Sequence, residues 1–300
     1  MTAQTPIKSS DPRRMQGVAF AICAYGWWGV VPLYWKLLLH VSPLEILSHR
    51  VIWSIPFLAG LIAARRIFGR LRALADIRER WLLAGSTVMV GANWGLFIWA
   101  VHSGRILEAS RGYYINPLVN VILGATVLGE RLTRPQVTAI ALATVGVAFS
   151  CVDLGGVPWL ALALALTFGA YGLLRKLSRV DPLCALLVET LGMGLPAVVT
   201  VAWLAARGES QFINGDGLTI GLLLASGAVT AVPLMMFGWA AVRIPLSLLG
   251  FFQYISPTIQ FLIAVMIFNE PFSHWQLLSF VAIWSGLIVL SGARLIAPRG

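Results

Sequence analysis

The sequence predicts an all-α membrane protein of ten transmembrane helices, built as two inverted five-helix repeats. Three observations carry that expectation. The 300 residues are 58% hydrophobic and only 11% charged, with a mean hydropathy of +0.83. A water-soluble domain has roughly a quarter of its residues charged, so this chain has too little polar surface to solvate a globule. Apolar runs long enough to cross ~30 Å of hydrocarbon recur from end to end. Finally, the second half of the chain repeats the first at a nearly constant offset.

The apolar runs place spans at 17–39, 43–64, 82–102, 107–128, 135–151, 157–174, 182–205, 218–241, 246–268 and 274–294. Each is expected to be helical, because an unpaired backbone group in lipid costs several kcal/mol. Residues 1–16 form a polar tail, residues 17–151 the first repeat and residues 157–296 the second. The first run, beginning at Gly17, exceeds the length of a signal-peptide core and lacks a small-residue cleavage site after it, so it reads as a retained span.

Lys and Arg set the orientation. With the N-terminus cytoplasmic, seventeen of the 22 basic residues fall in inside segments, and only Arg105 and Arg207 fall outside. Both termini should therefore face the cytoplasm, in the cytoplasmic (inner) membrane. The net charge of +10 is spread over alternate short loops rather than gathered in one patch, which argues against nucleic acid as a partner. Cys23, Cys151 and Cys184 lie in or beside apolar runs without a CxxC pair, and read as small core residues.

The repeat is explicit in two stretches, YYINPLVNVILGATVLGERLTRPQ at 113–136 and QYISPTIQFLIAVMIFNEPFSHWQ at 253–276. An offset of 140 pairs Tyr114 with Tyr254, Pro117 with Pro257, Glu130 with Glu270, Gln136 with Gln276, Trp99 with Trp239 and Gly146 with Gly286. An offset of 139 pairs Pro43 with Pro182 and Arg50 with Glu189. Five spans is an odd number, so the second half must enter the membrane upside down. That is the plan of many secondary transporters, whose substrate site lies near the midplane between the halves.

Candidate site residues follow from the cost of polarity in lipid. Pro117 and Pro257 each fall ~16 Å into a span, near the midplane, where each removes a backbone donor; they read as hinges or as tolerated kinks. Asn116 and Asn120 on span 4, with Gln253, Ser256 and Gln260 on span 9, form interior stripes suited to substrate contact or to interhelical hydrogen bonds. Glu45, His49, Arg50, Glu108 and Arg111 gather toward the outer ends of spans 2 and 4, and Glu189 toward the inner end of span 7. A lone charge at a helix centre costs ~3 kcal/mol, so partners are expected: Glu108 or Glu45 for Arg50, and Arg243, Arg175 or Lys176 for Glu189. Trp28, Trp94, Trp99, Tyr114 and Tyr254 are placed too deep for an interfacial belt and could line a cavity. Trp81, Trp159 and Trp275 fall near span ends and suit the belt.

No Walker A loop, HExxH, GxSxG or metal-ligand cluster is present. Enzymatic activity, a cofactor or a bound metal is therefore not expected. The partners expected are a small-molecule substrate and the lipid bilayer.

Six stretches resemble the RarD group of the EamA family, within the drug/metabolite transporter superfamily. They are HRVIWS (49–54), GANWGLFIWAV (91–101), LEASRGYYINPL (107–118), LGER (128–131), YGLLRK (171–176) and LGFFQYISPT (249–258). Arg111 departs from the uncharged residue the group has there. The resemblance implies ten helices in two EamA-type halves and solute export. The expected function is secondary export of amino acids or similar small metabolites. A drug or lipophile exporter, or an intramembrane lipid-handling enzyme, are the alternatives.

Overall fold

The structure is a computed structural model that describes residues 12–103, 105–152, 159–267 and 274–296. Among those residues every regular element is a helix, and no strand occurs. In chain order they are α1 (Pro12–Lys36), α2 (Pro43–Ala64), a 3₁₀ helix (Phe68–Ala75), α3 (Ile77–His102), α4 (Ile106–Thr126), α5 (Arg134–Cys151) and α6 (Trp159–Leu177). There follow α7 (Pro182–Ala206), the short α8 (Gln211–Asn214), α9 (Gly217–Ala241), α10 (Leu246–Gln253), α11 (Ile255–Met266) and α12 (His274–Ile296).

Local chemistry fixes several starts. Ser42 accepts from the Glu45 amide with Pro43 at the first helical position of α2, and Asp181 with Pro182 does the same for α7 through the Leu183 amide. Asp216 caps α9 by accepting from the Thr219 amide. Helix α1 begins at Pro12, ahead of the apolar run, because the helix extends into the polar turn holding Arg13 and Arg14.

Six of these helices, together with the α10–α11 pair taken as Leu246–Met266, give seven segments long and apolar enough to cross a membrane. Arg134–Phe149 and Leu277–Val289 are shorter apolar stretches. Helix α4 is long enough but too polar, since Glu108, Arg111, Asn116 and Asn120 interrupt it. It lies against α6 and α10, and Asn116 and Asn120 are buried there. The polarity of the whole bundle is reversed relative to a water-soluble protein. Glu45, Asn120 and Glu189 are fully buried, while Leu39, Leu195 and Met266 are exposed by 77%, 74% and 73%. The chain is a multi-pass membrane protein.

The expected span 246–268 is not one helix. It divides at Tyr254 into α10 and α11, and the Tyr254 amide reaches back only to the Phe251 carbonyl. Pro257 explains the division, because it has no N–H for the Gln253 carbonyl and its ring crowds that turn. Pro117, at the matching position, stays inside a continuous α4.

Helix α5 packs on α12, α4 on α6 and α10, α2 on α7 and α9, α3 on α6, and α1 on α9 and α11. Two glycine contacts recur in pairs. A Cβ on Gly146 would sit 2.8 Å from the Ser279 carbonyl, and one on Gly286 would sit 2.9 Å from the Ala139 carbonyl. A Cβ on Gly29 would sit 2.7 Å from the Ile259 Cβ, and one on Gly169 would sit 2.6 Å from a Val119 methyl. Within each pair, both glycines and both partners are 140 positions apart.

Gly146→Ala is expected to push α5 off α12 and lower stability by roughly 1–3 kcal/mol, the usual cost of overpacking. Gly60 has open space around it, and Gly60→Ala should be neutral or stabilising. Thermal unfolding of the two variants in detergent checks this; equal melting temperatures would refute the tight seam.

Candidate functional site

One end of the bundle is organised around Arg50, in the second turn of α2 and ~10 Å from that helix's start. Its Nε donates to Thr230 Oγ1 of α9 at 2.8 Å. Its guanidinium carbon lies 5.0 Å from the ring centres of both Trp35 of α1 and Trp94 of α3. Tyr113 of α4 lies within electrostatic range. The expected partner acids are elsewhere. Glu108 pairs with Arg105 at 3.0 Å and accepts from the Leu160 amide at 3.2 Å, at the start of α6. Glu45 accepts from Ser210 Oγ and from the Gln211 and Phe212 amides. Both carboxylates sit in first helical turns and close onto the amides of a neighbouring helix start, where several N–H groups converge. Among the described residues no carboxylate comes within 4 Å of Arg50.

His49 lies one turn above Trp53, whose indole N–H donates to His49 Nδ1 at 3.0 Å. In the neutral ring the proton then sits on Nε2, which faces Glu45 Oε1 at 3.9 Å. Phe212 covers the ring. This histidine is packed into the α2–α8 contact. The side chain of Arg111 lies outside the described residues.

The other end is organised around Glu189 of α7. Ser86 Oγ of α3 donates to it at 2.5 Å, Tyr171 OH of α6 at 3.3 Å, and Arg175 Nη1 lies 3.6 Å away. Of the three cations the sequence allows, Arg175 is the partner. The pair is fully enclosed, yet Arg175 Nε and Nη1 make no hydrogen bond. Arg175 Nη2 donates to the Pro182 carbonyl. Against this pair lies a continuous aromatic plug in which Trp28, Phe168, Tyr171 and Phe237 meet at centroid distances of 5.4–6.0 Å.

Between the two ends, α4 meets α10. Asn120 Nδ2 donates to Gln253 Oε1 at 2.6 Å, and Tyr254 OH donates to the Tyr114 carbonyl at 3.3 Å. Gly250 lets α10 close on the Pro117 carbonyl. Gln260 donates to the Trp28 carbonyl and to Ser256 Oγ. The side chains of Asn120, Gln253, Tyr254 and Gln260 therefore join helices. Asn116 is buried, and its Oδ1, like that of Asn120, accepts no hydrogen bond among the described residues; Asn120 is tied to α10 through its Nδ2. Trp99, expected deep, instead packs on Trp159 with Arg105 across both rings, 44% exposed at the end of α3. Arg105 terminates that helix pair, so Trp99 sits where a belt residue would.

Several residues of this arrangement were not singled out from the sequence. Trp35 and Thr230 complete the Arg50 surroundings, and Ser86 completes those of Glu189. A single hydroxyl in an apolar run gives no periodic signal. Glu130 was visible only as a repeat match; its two oxygens accept from the Leu246 and Ser247 amides at 2.7 and 2.9 Å and so cap α10.

Removing one member of the enclosed pair should be severe. Arg175→Leu alone should cost ~3–5 kcal/mol by leaving a buried carboxylate, and Arg175→Leu with Glu189→Leu should cost less than the sum of the single variants. Thermal unfolding of the four-member cycle measures the coupling, and additive costs would show that the pair is not an energetic unit.

The EamA-like transporter family matches residues 15–152. A Vibrio cholerae protein named uncharacterized transporter is 46% identical, with 92% of each chain covered. Protein RarD of Streptomyces exfoliatus is 42% identical over 98% of this chain and 93% of its own. Protein RarD of Escherichia coli is 43% identical over 91% and 93%. A protein of known crystal structure superposes with a TM-score of 0.69 at 18% identity, covering 95% of this chain and 99% of its own, and so shares the fold.

Proposed function

The chain belongs to the EamA-like transporter family, among its RarD members, and from that premise we propose that it is a secondary transporter exporting amino acids or similar small metabolites by alternating access. In this reading ten spans cross the cytoplasmic membrane: α1 to α7, α9, the α10–α11 pair and α12. The spans form two inverted halves with both termini in the cytoplasm, an orientation that the seventeen-to-two distribution of basic residues supports.

The observation that carries the reading is reciprocity of contact. Exchanging the halves turns the Gly146–Ser279 contact into Gly286–Ala139, and Gly29–Ile259 into Gly169–Val119. The links follow the same rule. Glu79 at the start of α3 accepts from the Arg179 amide between α6 and α7, while Thr219 at the start of α9 bonds His40 between α1 and α2. These contacts support a pseudo-two-fold axis relating the halves.

One departure from that axis supports a mechanism. Helix α4 runs straight through Pro117, whereas its counterpart divides before Pro257. Exchanging the two shapes between equivalent halves generates a second state of comparable energy, with access from the opposite face. Each proline disfavours the straight form of its own span. Pro117→Ala should then favour the state seen here and Pro257→Ala the other. Solvent labelling of single cysteines above and below the midplane reads the shift; changes in the same direction would refute the exchange.

Transport itself is tested with purified protein in sealed liposomes under an imposed proton gradient. Labelled amino acids should redistribute across the bilayer unchanged; covalent conversion without redistribution would refute the reading. In a cysteine-free background in intact cells, Asn214→Cys should react with an impermeant maleimide and Ala75→Cys should not. The reverse pattern would overturn the orientation.

A further inference from the structure

Arg50 differs from the other enclosed cation, Arg175, in what surrounds it. Arg175 has a carboxylate beside it; Arg50 has two ring faces and one hydroxyl. Ring faces stabilise a cation through their quadrupole and Thr230 fixes its orientation, but neither carries a compensating negative charge. Among the described residues only Nε of this guanidinium is hydrogen-bonded, which leaves Nη1 and Nη2 without a described partner. A guanidinium held flat between two indoles, with its outer edge unengaged, matches a carboxylate in the bidentate geometry such groups prefer.

A second orphan lies nearby on α4. Tyr113 is in electrostatic range of Arg50, and Asn116 follows it by three residues, on the same face and ~4.5 Å further along the helix. Asn116 Oδ1 is a buried acceptor without a donor, an arrangement that costs free energy unless a ligand relieves it. The other acids at this end, Glu45 and Glu108, are already engaged with helix-start amides. A substrate's carboxylate therefore meets a cation with no competing anion.

We propose that Arg50 and Asn116 form the two poles of a zwitterion site: Arg50 takes the α-carboxylate of an amino acid, Asn116 Oδ1 accepts from its ammonium, and Trp35 and Trp94 flank the carboxylate end. Asn120, Gln253 and Gln260 are left to hold helices together. The assignment rests on the transport reading above and sharpens it to a substrate class, zwitterionic α-amino acids.

The test is equilibrium binding to purified protein, which needs no transport. Labelled L-leucine and L-phenylalanine are displaced with their unlabelled amides, which lack the carboxylate, and with the matching carboxylic acids, which lack the ammonium. Wild-type protein should prefer the amino acid to either analogue by at least about 10-fold, the scale of one charge-assisted hydrogen bond. Arg50→Gln should abolish discrimination against the amide while keeping that against the acid, and Asn116→Leu should do the reverse. Thr230→Val retains the charge and should weaken binding less than Arg50→Gln. Melting temperatures establish that the variants are folded. Binding of neither probe by wild-type protein, or unchanged discrimination in folded Arg50→Gln, overturns the assignment. Binding that depends on Arg50 without movement of amino acids in liposomes would uphold the site and sink the transport reading. Transport with discrimination indifferent to Arg50 would do the opposite.

Discussion

Hydrocarbon offers no hydrogen bonds, so each polar group in this bundle must find its partner within the chain. The carboxylates show how that constraint is met. Glu45, Glu79, Glu108 and Glu130 each accept from backbone amides at a turn or helix start on another segment. Each satisfies donors that the end of a helix leaves open, and each ties together elements far apart in sequence. Asp181 and Asp216 do the same work on their own helices. With 12 acids against 22 basic residues, and with Glu79, Glu108 and Asp181 also paired to Arg78, Arg105 and Arg70, no described carboxylate is left beside Arg50. The surroundings of Arg50 follow from that allocation.

Two kinds of contact then divide the interior. Where α4 crosses α10, amide, phenol and carbonyl groups pair with one another and fix the crossing. Toward the ends, Arg50 and Glu189 occupy related positions with opposite charge and different company. Glu189 is closed in by a cation, two hydroxyls and the aromatic plug. Arg50 meets aromatic faces and a hydroxyl that leave its outer donors open. One end is thus sealed by complementary charge, and the other retains unmet charge.

The membrane class was legible in composition, because nothing but lipid tolerates so few charges. Helix positions were legible from apolar runs, and starts from the Ser42-Pro43 and Asp181-Pro182 pairs. The candidate site was legible only in part. Arg50 and Asn116 stood out as polar groups in apolar surroundings, but charge counting sent Arg50 toward Glu108. Glu108 is instead taken by Arg105 at 3.0 Å and the Leu160 amide at 3.2 Å, both close to it at the ends of α4 and α6. Likewise, equal residues at Pro117 and Pro257 did not announce unequal helices. Sequence repetition reports what the halves share, and the difference between them belongs to the conformation.

The glycine seam between α5 and α12 has a mechanical consequence. Under the repeat proposed above, this pair, like α4 with α10 and α2 with α7, joins equivalent helices of the two halves, so their exchange would map the contact onto itself. A pair such as α1 with α11 has no such protection, because exchange replaces it by α6 with α4. At Gly146 and Gly286 the helices approach closely enough for backbone to meet backbone, with Ile283 packed against Gly146. Under the exchange proposed above, this seam is the contact that would stay in register while pairs such as α1 with α11 are replaced.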